Sequence, residues 1–405
     1  MNPVQANSGN LVLLWCCQCV ATLGLMAMVP LMPLYLAQLG EGYSPVWASF
    51  ALAAPAVTAL VFSSRIGRAC DRYGYRFMVL VSLVLFTASM SLIALSDGIV
   101  GFLLGRLLLG ASGVSVTLTA FACAAGGIER RGRVLGRLQS AAACGCFTGP
   151  VIGGLLMDVW SLRPLLIATA AFSGIAALMA AMALREPACG DAKSSADGAL
   201  QMAARPLPSH RSFTVYWMLA ACLSQAGAMA LVNTFVLFLQ SRVSGDSLAS
   251  ATGIIHAAAW AAGMLAAPRW GRANDSGDVR HRFALAAAGC ALSVGLLPLA
   301  GELWQILLLR LLQGACFTAL AQSVIFALSH RASGGQGESA GLAKRYLVSG
   351  RILGPLLVAA LLPWLQPDAV LVWVALLFAA AACCALKCPE VPGIEPVEEG
   401  RTRQA

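Results

Sequence analysis

Charge is what this chain has least of. Asp, Glu, Lys and Arg make up 11% of its 405 residues and hydrophobic residues 59%, whereas soluble domains carry roughly a quarter charged residues. That leaves too little polar surface to cover a globule in water, so lipid is the solvent for most of the chain. Further absences narrow the function. No G-xxxx-GK-[ST] stretch and no large soluble segment is present, which argues against an ATP-driven pump. Of fourteen cysteines, Cys70, Cys189 and Cys388 fall in polar segments on one side of the expected spans and the rest in apolar runs. None is placed where an oxidising compartment would pair it. Cys16, Cys17 and Cys19, or Cys144 and Cys146, lack histidines at ligand spacing, so neither a disulfide framework nor a metal site is expected. Deep carboxylates are missing too: Glu41, Asp97, Asp158, Glu302 and Asp368 all fall near span ends or in loops.

What the chain does have is a repeat. Gly67-Arg-Ala-Cys-Asp71 returns as Gly271-Arg-Ala-Asn-Asp275, and Arg106-Leu-Leu-Leu-Gly110-Ala as Arg310-Leu-Leu-Gln-Gly314-Ala, about 204 residues on. Gly145-xxx-Gly149-Pro150 recurs in the same order as Gly350-xxx-Gly354-Pro355. The unit is duplicated.

Crossing a bilayer takes about 20 apolar residues per helix. Twelve candidate spans satisfy this, near 11–39, 46–65, 77–96, 99–123, 134–157, 163–184, 213–240, 247–268, 282–300, 303–328, 342–364 and 369–387. The first is too long for a signal peptide, has no basic leader, and carries Pro30 and Pro33 where a cleavage site would stand. Lys and Arg stay on the cytoplasmic side during insertion, and here they sort by loop parity. Arg65, Arg68, Arg72 and Arg76 flank the second loop, Arg130, Arg131, Arg133 and Arg137 the fourth, and Arg185, Lys193, Arg205 and Arg211 the sixth. Arg269, Arg272, Arg280 and Arg282 flank the eighth, Arg331, Lys344, Arg345 and Arg351 the tenth, and Lys387, Arg401 and Arg403 the tail. The opposite side holds only Arg163 and Arg242. Both termini are therefore expected in the cytoplasm of a cell with a bacterial inner membrane. The net charge of +9 follows from this insertion rule and calls for no nucleic-acid partner.

The main polar interruption reads as a flexible linker. Expected organisation is a six-helix half over 1–184, a cytoplasmic linker over 185–211, a second half over 212–388 and a tail over 389–405. The fold class is all-α integral membrane, twelve transmembrane helices in two pseudo-symmetric six-helix bundles.

The motifs support a family. Gly67-xxx-Asp71-Arg72-x-Gly74-x-Arg76 resembles the signature loop of the major facilitator superfamily, with Gly271-xxx-Asp275 as its eroded copy. Gly145-xxx-Gly149-Pro150-xx-Gly153-Gly154 resembles the motif of that family's drug and metabolite antiporters, and Arg106-xxx-Gly110 their helix-four arginine motif, although Leu109 stands where a Gln is frequent. The resemblance spans the chain and implies the major facilitator fold, export by alternating access, and a substrate site between the halves. It also implies a conformational latch of Gly67, Asp71, Arg72, Gly74, Arg76 and Asp275, in which Arg76 pairs with Glu129.

Each motif has a physical reading. Glycines permit a tight turn, and Asp71 offers a carboxylate to basic groups or to a helix amino terminus; a solvated basic loop is the plainer alternative. Small residues at four-residue spacing, Gly145, Gly149 and Gly153 with Gly154, and Gly354 in the second copy, let backbones approach closely. Pro150 and Pro355 each remove a helix hydrogen bond. The pattern suits a hinge, or plain packing. An ionised group at helix-middle depth costs at least about 2.5–3.5 kcal/mol unless it meets a cavity or partner, so Arg106 and Arg310 should face the interior. Either carbonyls, water and polar side chains satisfy them, or they bind an anionic or oxygen-rich substrate. Gln18, Thr22 and Met26, then Gln225, Met229 and Asn233, then His256, Trp260 and Met264 recur every four residues on single helix faces. With Gln313 and Phe317 they are the cavity candidates.

No cofactor is expected; a proton gradient is the energy source, with His256, Asp71 and Glu41 as groups that could titrate and the carrier unassigned. Partners are a small-molecule substrate, protons and the lipid bilayer, and the chain is expected to be a monomer and not an enzyme. Proton-coupled multidrug-type efflux is the leading function, and export of an endogenous metabolite such as a siderophore the alternative. A non-transporting membrane scaffold explains neither the paired glycine motifs nor the buried arginines.

Overall fold

The computed structural model of the chain describes residues 3–39, 44–186, 211–243, 247–275, 278–331 and 336–388. Most of the expected linker, the tail 389–405 and Glu41 lie outside the described residues. Those described form thirteen α-helices and one 3-10 turn: α1 (Pro3–Met28), α2 (Met32–Gln38), α3 (Pro45–Tyr73), α4 (Tyr75–Leu95), α5 (Ile99–Ser112), α6 (Val114–Val159), α7 (Arg163–Ala183), α8 (Arg211–Leu239), α9 (Leu248–Asp275), α10 (Val279–Gly295), the turn Leu297–Leu299, α11 (Leu303–Arg331), α12 (Gln336–Leu361) and α13 (Pro367–Leu386). Eleven helical stretches are long and apolar enough to cross a membrane. The expected eleventh span is α12, which carries Arg345 and Arg351.

Large apolar side chains cover the outside. Met182 is 80% exposed, Leu265 73% and Leu285 67%, which only a hydrocarbon solvent tolerates at this density. Trp47, Trp160, Trp304 and Trp364 are exposed and sit at helix ends on the face opposite the arginine clusters. Indole rings settle at such a membrane–water boundary. The two arginines expected on that face are paired there, Arg163 with Asp97 at 2.8 Å and Arg242 with Asp368 at 2.9 Å.

Three expectations about helix boundaries need correction. The first span is two helices, because Pro30 has no N–H to continue α1 and Pro33 is suited to open α2. The fourth and fifth spans fall at Ile99–Ala125 and Val134–Val159, near the expected bounds, yet helical backbone runs unbroken between them in α6. The break falls instead at Gly113, whose φ of +60° is left-handed and whose Cα faces the Ile66 side chain. Thirdly, Gly67 and Asp71 were placed in a loop, but both lie inside α3. The turn is confined to Gly74, at φ +95°.

Each half has its own apolar core. Met28, Leu31, Tyr35, Leu83, Phe86, Met90, Phe102, Phe121 and Leu166 anchor one, with Val232 and Ala249 reaching into it. Trp217, Phe235, Phe238, Phe283, Val294, Ile306, Val324 and Phe378 anchor the other, where Trp217 and Phe283 meet edge to face at 5.5 Å. Burial of such side chains stabilises each bundle only where helices meet, because lipid already solvates apolar surface; close packing carries the rest.

Candidate substrate pathway between the two halves

Glycines set the closest helix contacts, and they do so the same way in both halves. A Cβ placed on Gly145 would stand 2.7 Å from Leu23 N, on Gly149 2.6 Å from Leu23 O, and on Gly153 2.7 Å from Ala27 O. The second copy presses α12 on α8 equally: Gly350 would meet Cys222 O at 2.2 Å and Gly354 Ala226 O at 2.2 Å. Gly154 looks the other way, toward Ala249 O of α9 in the opposite half at 2.4 Å, and Gly253 of α9 toward Pro150 O at 2.1 Å. α6 thus contacts its own half along one edge and the opposite half along another. Pro150 and Pro355 lie within their helices.

The halves are tied at the face opposite the arginine clusters. The Asp158 carboxylate, at the end of α6, accepts from Ala249 N at 2.9 Å and Ser250 N at 2.7 Å, capping the amino terminus of α9 where free N–H groups and the helix dipole favour an anion. Asn233 Nδ2 donates to Ser49 Oγ at 2.5 Å, joining α8 to α3. Toward the arginine-rich face Arg345 Nη2 donates to Ser64 Oγ at 3.3 Å across the halves, and Leu60, Val61 and Phe62 of α3 are exposed. Among the described residues the polar ties between halves gather at the face opposite the arginine clusters.

Buried polar groups follow. Arg106 is 1% exposed; its Nε donates to Ala51 O at 2.8 Å, and its Nη1 has no partner among the described residues. Arg310 is 2% exposed; it donates to Gln313 Oε1 at 2.8 Å, lies 3.2 Å from His256 Nδ1, and stands over the Phe235 ring at 4.7 Å. Neither guanidinium is open to a solute in this conformation. Trp260 Nε1 donates to His256 Nε2 at 3.2 Å. Both ring nitrogens thus face groups that can only donate; a neutral imidazole accepts at one nitrogen and carries N–H at the other, so only one of the two contacts is a hydrogen bond, and a proton added to the ring would leave no acceptor for either donor. Gln18 donates to Thr22 at 2.9 Å; both are buried, as are Gln225 and Gln313. Met26, Met229, Trp260 and Phe317 are half-buried, whereas Met264 is 43% exposed and leaves the face assigned to His256 and Trp260.

At the expected latch, Tyr75 Oη donates to Asp71 Oδ1 at 2.9 Å, and Arg72 lies over Tyr73 at 5.4 Å. Arg76 Nη2 donates to Ala181 O at 2.5 Å. The side chains of Glu129 and Asp275 lie outside those described. Sequence reading missed Glu186, just past α7, whose carboxylate accepts from Tyr75 N at 2.6 Å and Arg76 N at 2.9 Å and so caps α4. In the second half Asp278 does this for α10: burial alone would raise its pKa, but hydrogen bonds from Arg280 and His281 outweigh that and hold it at about 2. Gly67 and Gly271 meet nothing within 4 Å.

Arg351 was expected at a loop flank and is corrected here. It lies inside α12 between Gly350 and Gly354, exposed, with Nε 3.5 Å from Gln225 Oε1 and its charge acting on Cys146 of α6. The signal was available: Arg351 occupies in the second glycine motif the place that Cys146 holds in the first.

The Major Facilitator Superfamily model matches residues 14–278. The chain belongs to that superfamily. Among curated relatives, the Staphyloferrin B transporter of Staphylococcus aureus (strain NCTC 8325 / PS 47) is 32% identical over 393 residues, 92% of this chain and 91% of that one. Multidrug resistance protein MdtG of Salmonella choleraesuis (strain SC-B67) is 28% identical over 87% of this chain and 88% of its own. Of solved structures, a bacterial homolog of the human lysosomal transporter Spinster superposes with a TM-score of 0.77 at 13% identity, covering 97% of this chain and 100% of that one. As a major facilitator transporter the chain is a multi-pass membrane protein.

Proposed function

We propose that this transporter exports a small organic metabolite of the siderophore kind from the cytoplasm by alternating access, coupled to inward proton movement. The observation carrying the reading is the asymmetric closure between halves: Asp158 caps α9 across the interface at one face, while Arg351 stays exposed between helices of both halves. Loop-parity charge makes the more heavily tied face external and the other cytoplasmic, and on this reading a solute enters from inside. Both termini are then cytoplasmic, the host membrane is a bacterial inner membrane, and the chain works as a monomer without a cofactor. A relative matched over nine-tenths of both chains carries a siderophore's name. One elementary charge moving through 100 mV supplies about 2.3 kcal/mol, enough for uphill export.

Broad multidrug efflux is the second reading, favoured by the MdtG similarity and by adaptable Met26, Met229 and Trp260 surfaces. Deleting the gene and measuring secreted iron-chelating metabolites and drug susceptibility separates the two. Retention of one chelator with unchanged susceptibility is expected; the reverse pattern establishes the multidrug reading, and no change in either sinks export altogether. An uncoupler that leaves export intact refutes proton coupling.

A further inference from the structure

We propose that Arg351, with Gln225 beside it, is a subsite for an oxyanion, a carboxylate borne by the transported molecule. The proposal deepens the export reading and rests on it for the direction in which the anion moves.

Of Arg106, Arg310 and Arg351, the first two are enclosed and engaged. Arg351 alone of the three is exposed. Its Nε makes one long contact, 3.5 Å to Gln225 Oε1, and its terminal nitrogens have no hydrogen-bond or carboxylate partner among the described residues. A charge at such depth is costly unless water or a counter-ion reaches it, and here no carboxylate among the described residues neutralises it. The planar fork of guanidinium N–H groups matches a carboxylate's two oxygens, and the Gln225 amide beside it can add a further hydrogen bond.

Packing does not explain the arginine. In the first half the same motif position is Cys146, and there the glycines and proline hold α6 against α1 without a charge. The repeat therefore keeps the helix contact and varies the residue beside it. Position adds to this: Gln225 belongs to α8 in the second half and Cys146 to α6 in the first, so an anion on Arg351 lies between elements that move relative to each other. A ligand biases such an equilibrium only through unequal contacts in its two states.

The full chain, purified in detergent, is titrated calorimetrically with citrate, with inorganic phosphate and with the neutral trimethyl ester of citrate. Wild type should bind citrate saturably and the ester not at all. R351Q should bind citrate at least tenfold more weakly, with R351K between them because it keeps the charge and loses the fork. Should R351Q fail to elute as a single species, phenylglyoxal modification of wild-type Arg351, read by peptide mass, replaces it; citrate should slow that reaction. Unchanged citrate affinity in R351Q, equal binding of the ester, binding of phosphate but not citrate, or no protection by citrate each overturns the subsite. Citrate binding that depends on Arg351 in a chain that exports nothing sinks the export reading and leaves the subsite standing.

Discussion

Replacing Gly149 by Ala tests whether the glycine motif is a contact that cannot yield. The added Cβ would stand 2.6 Å from Leu23 O, 2.9 Å from Ala27 N and 3.2 Å from Met26 Cβ. The first two are backbone atoms of α1, so no rotamer change relieves them. Reaching ordinary contact at 3.4 Å requires α1 and α6 to part locally by about 0.8 Å, from 2.6 Å. Overpacking of this kind costs about 1–3 kcal/mol, against a gain of up to about 1 kcal/mol from replacing a mid-helix glycine. With that gain realised in full the net loss is up to about 2 kcal/mol. Gly136 provides the control on the same helix: a Cβ there meets nothing within 4 Å, leaving only the propensity gain. Thermal stability in detergent, read by size exclusion after heating, should place Gly149→Ala below wild type and Gly136→Ala at or above it. Equal stability of the two variants refutes the close-contact reasoning, since both carry the same chemical change on the same element.

Two more perturbations address the conformational cycle. Asp158→Ala removes both acceptors from the amino terminus of α9; loss of such a cap costs about 0.5–2 kcal/mol. Amide exchange at Ala249 and Ser250 should rise while exchange in the far core, around Phe283, stays as in wild type. His256→Gln keeps an acceptor for Arg310 and discards the imidazole. Because both ring nitrogens face donors, the pH profile of transport should keep its midpoint, and a displaced midpoint would make His256 a proton carrier.

The architecture was legible because bilayer insertion writes directly into sequence. Span length follows from the thickness of the hydrocarbon, and arginine parity from retention on one side, so neither depends on tertiary contacts. The glycine spacing of 145, 149 and 153 likewise announces a packed helix edge before its partner is known. What failed to show depends on neighbours far along the chain. Glu186 caps α4 from more than one hundred residues away, and Asp158 caps a helix of the other half; single carboxylates near span ends carry no mark of what they will reach. Arg351 was read as a loop flank because a hydropathy pattern registers a charge near a span end without its depth or direction. Gly67, read as a turn residue, lies within a helix, and a Cβ there would meet nothing within 4 Å among the described residues. Its small size leaves space on α3 that this conformation does not fill.

The two halves share a scaffold and differ in chemistry, most plainly around their repeated arginines. Arg106 is held by a backbone carbonyl, that of Ala51. Its repeat mate Arg310 is held by side chains, Gln313 and His256, whose positions in the first half are Leu109 and Leu52. The same holds for Cys146 and Arg351. Contacts through backbone and glycine are insensitive to what is transported, because they recur wherever the helix pair recurs. Polar side chains on only one copy cannot be explained by the duplicated packing, so they answer to something the halves do not share. The proposed export reading then assigns substrate discrimination to the second half, on α8, α9, α11 and α12, and the mechanical part to the fuller glycine motif and the inter-half cap Asp158 of the first. On this division, exchanging Cys146 for a larger apolar residue should disturb movement for every substrate alike, and changing Arg351 should alter which substrates move.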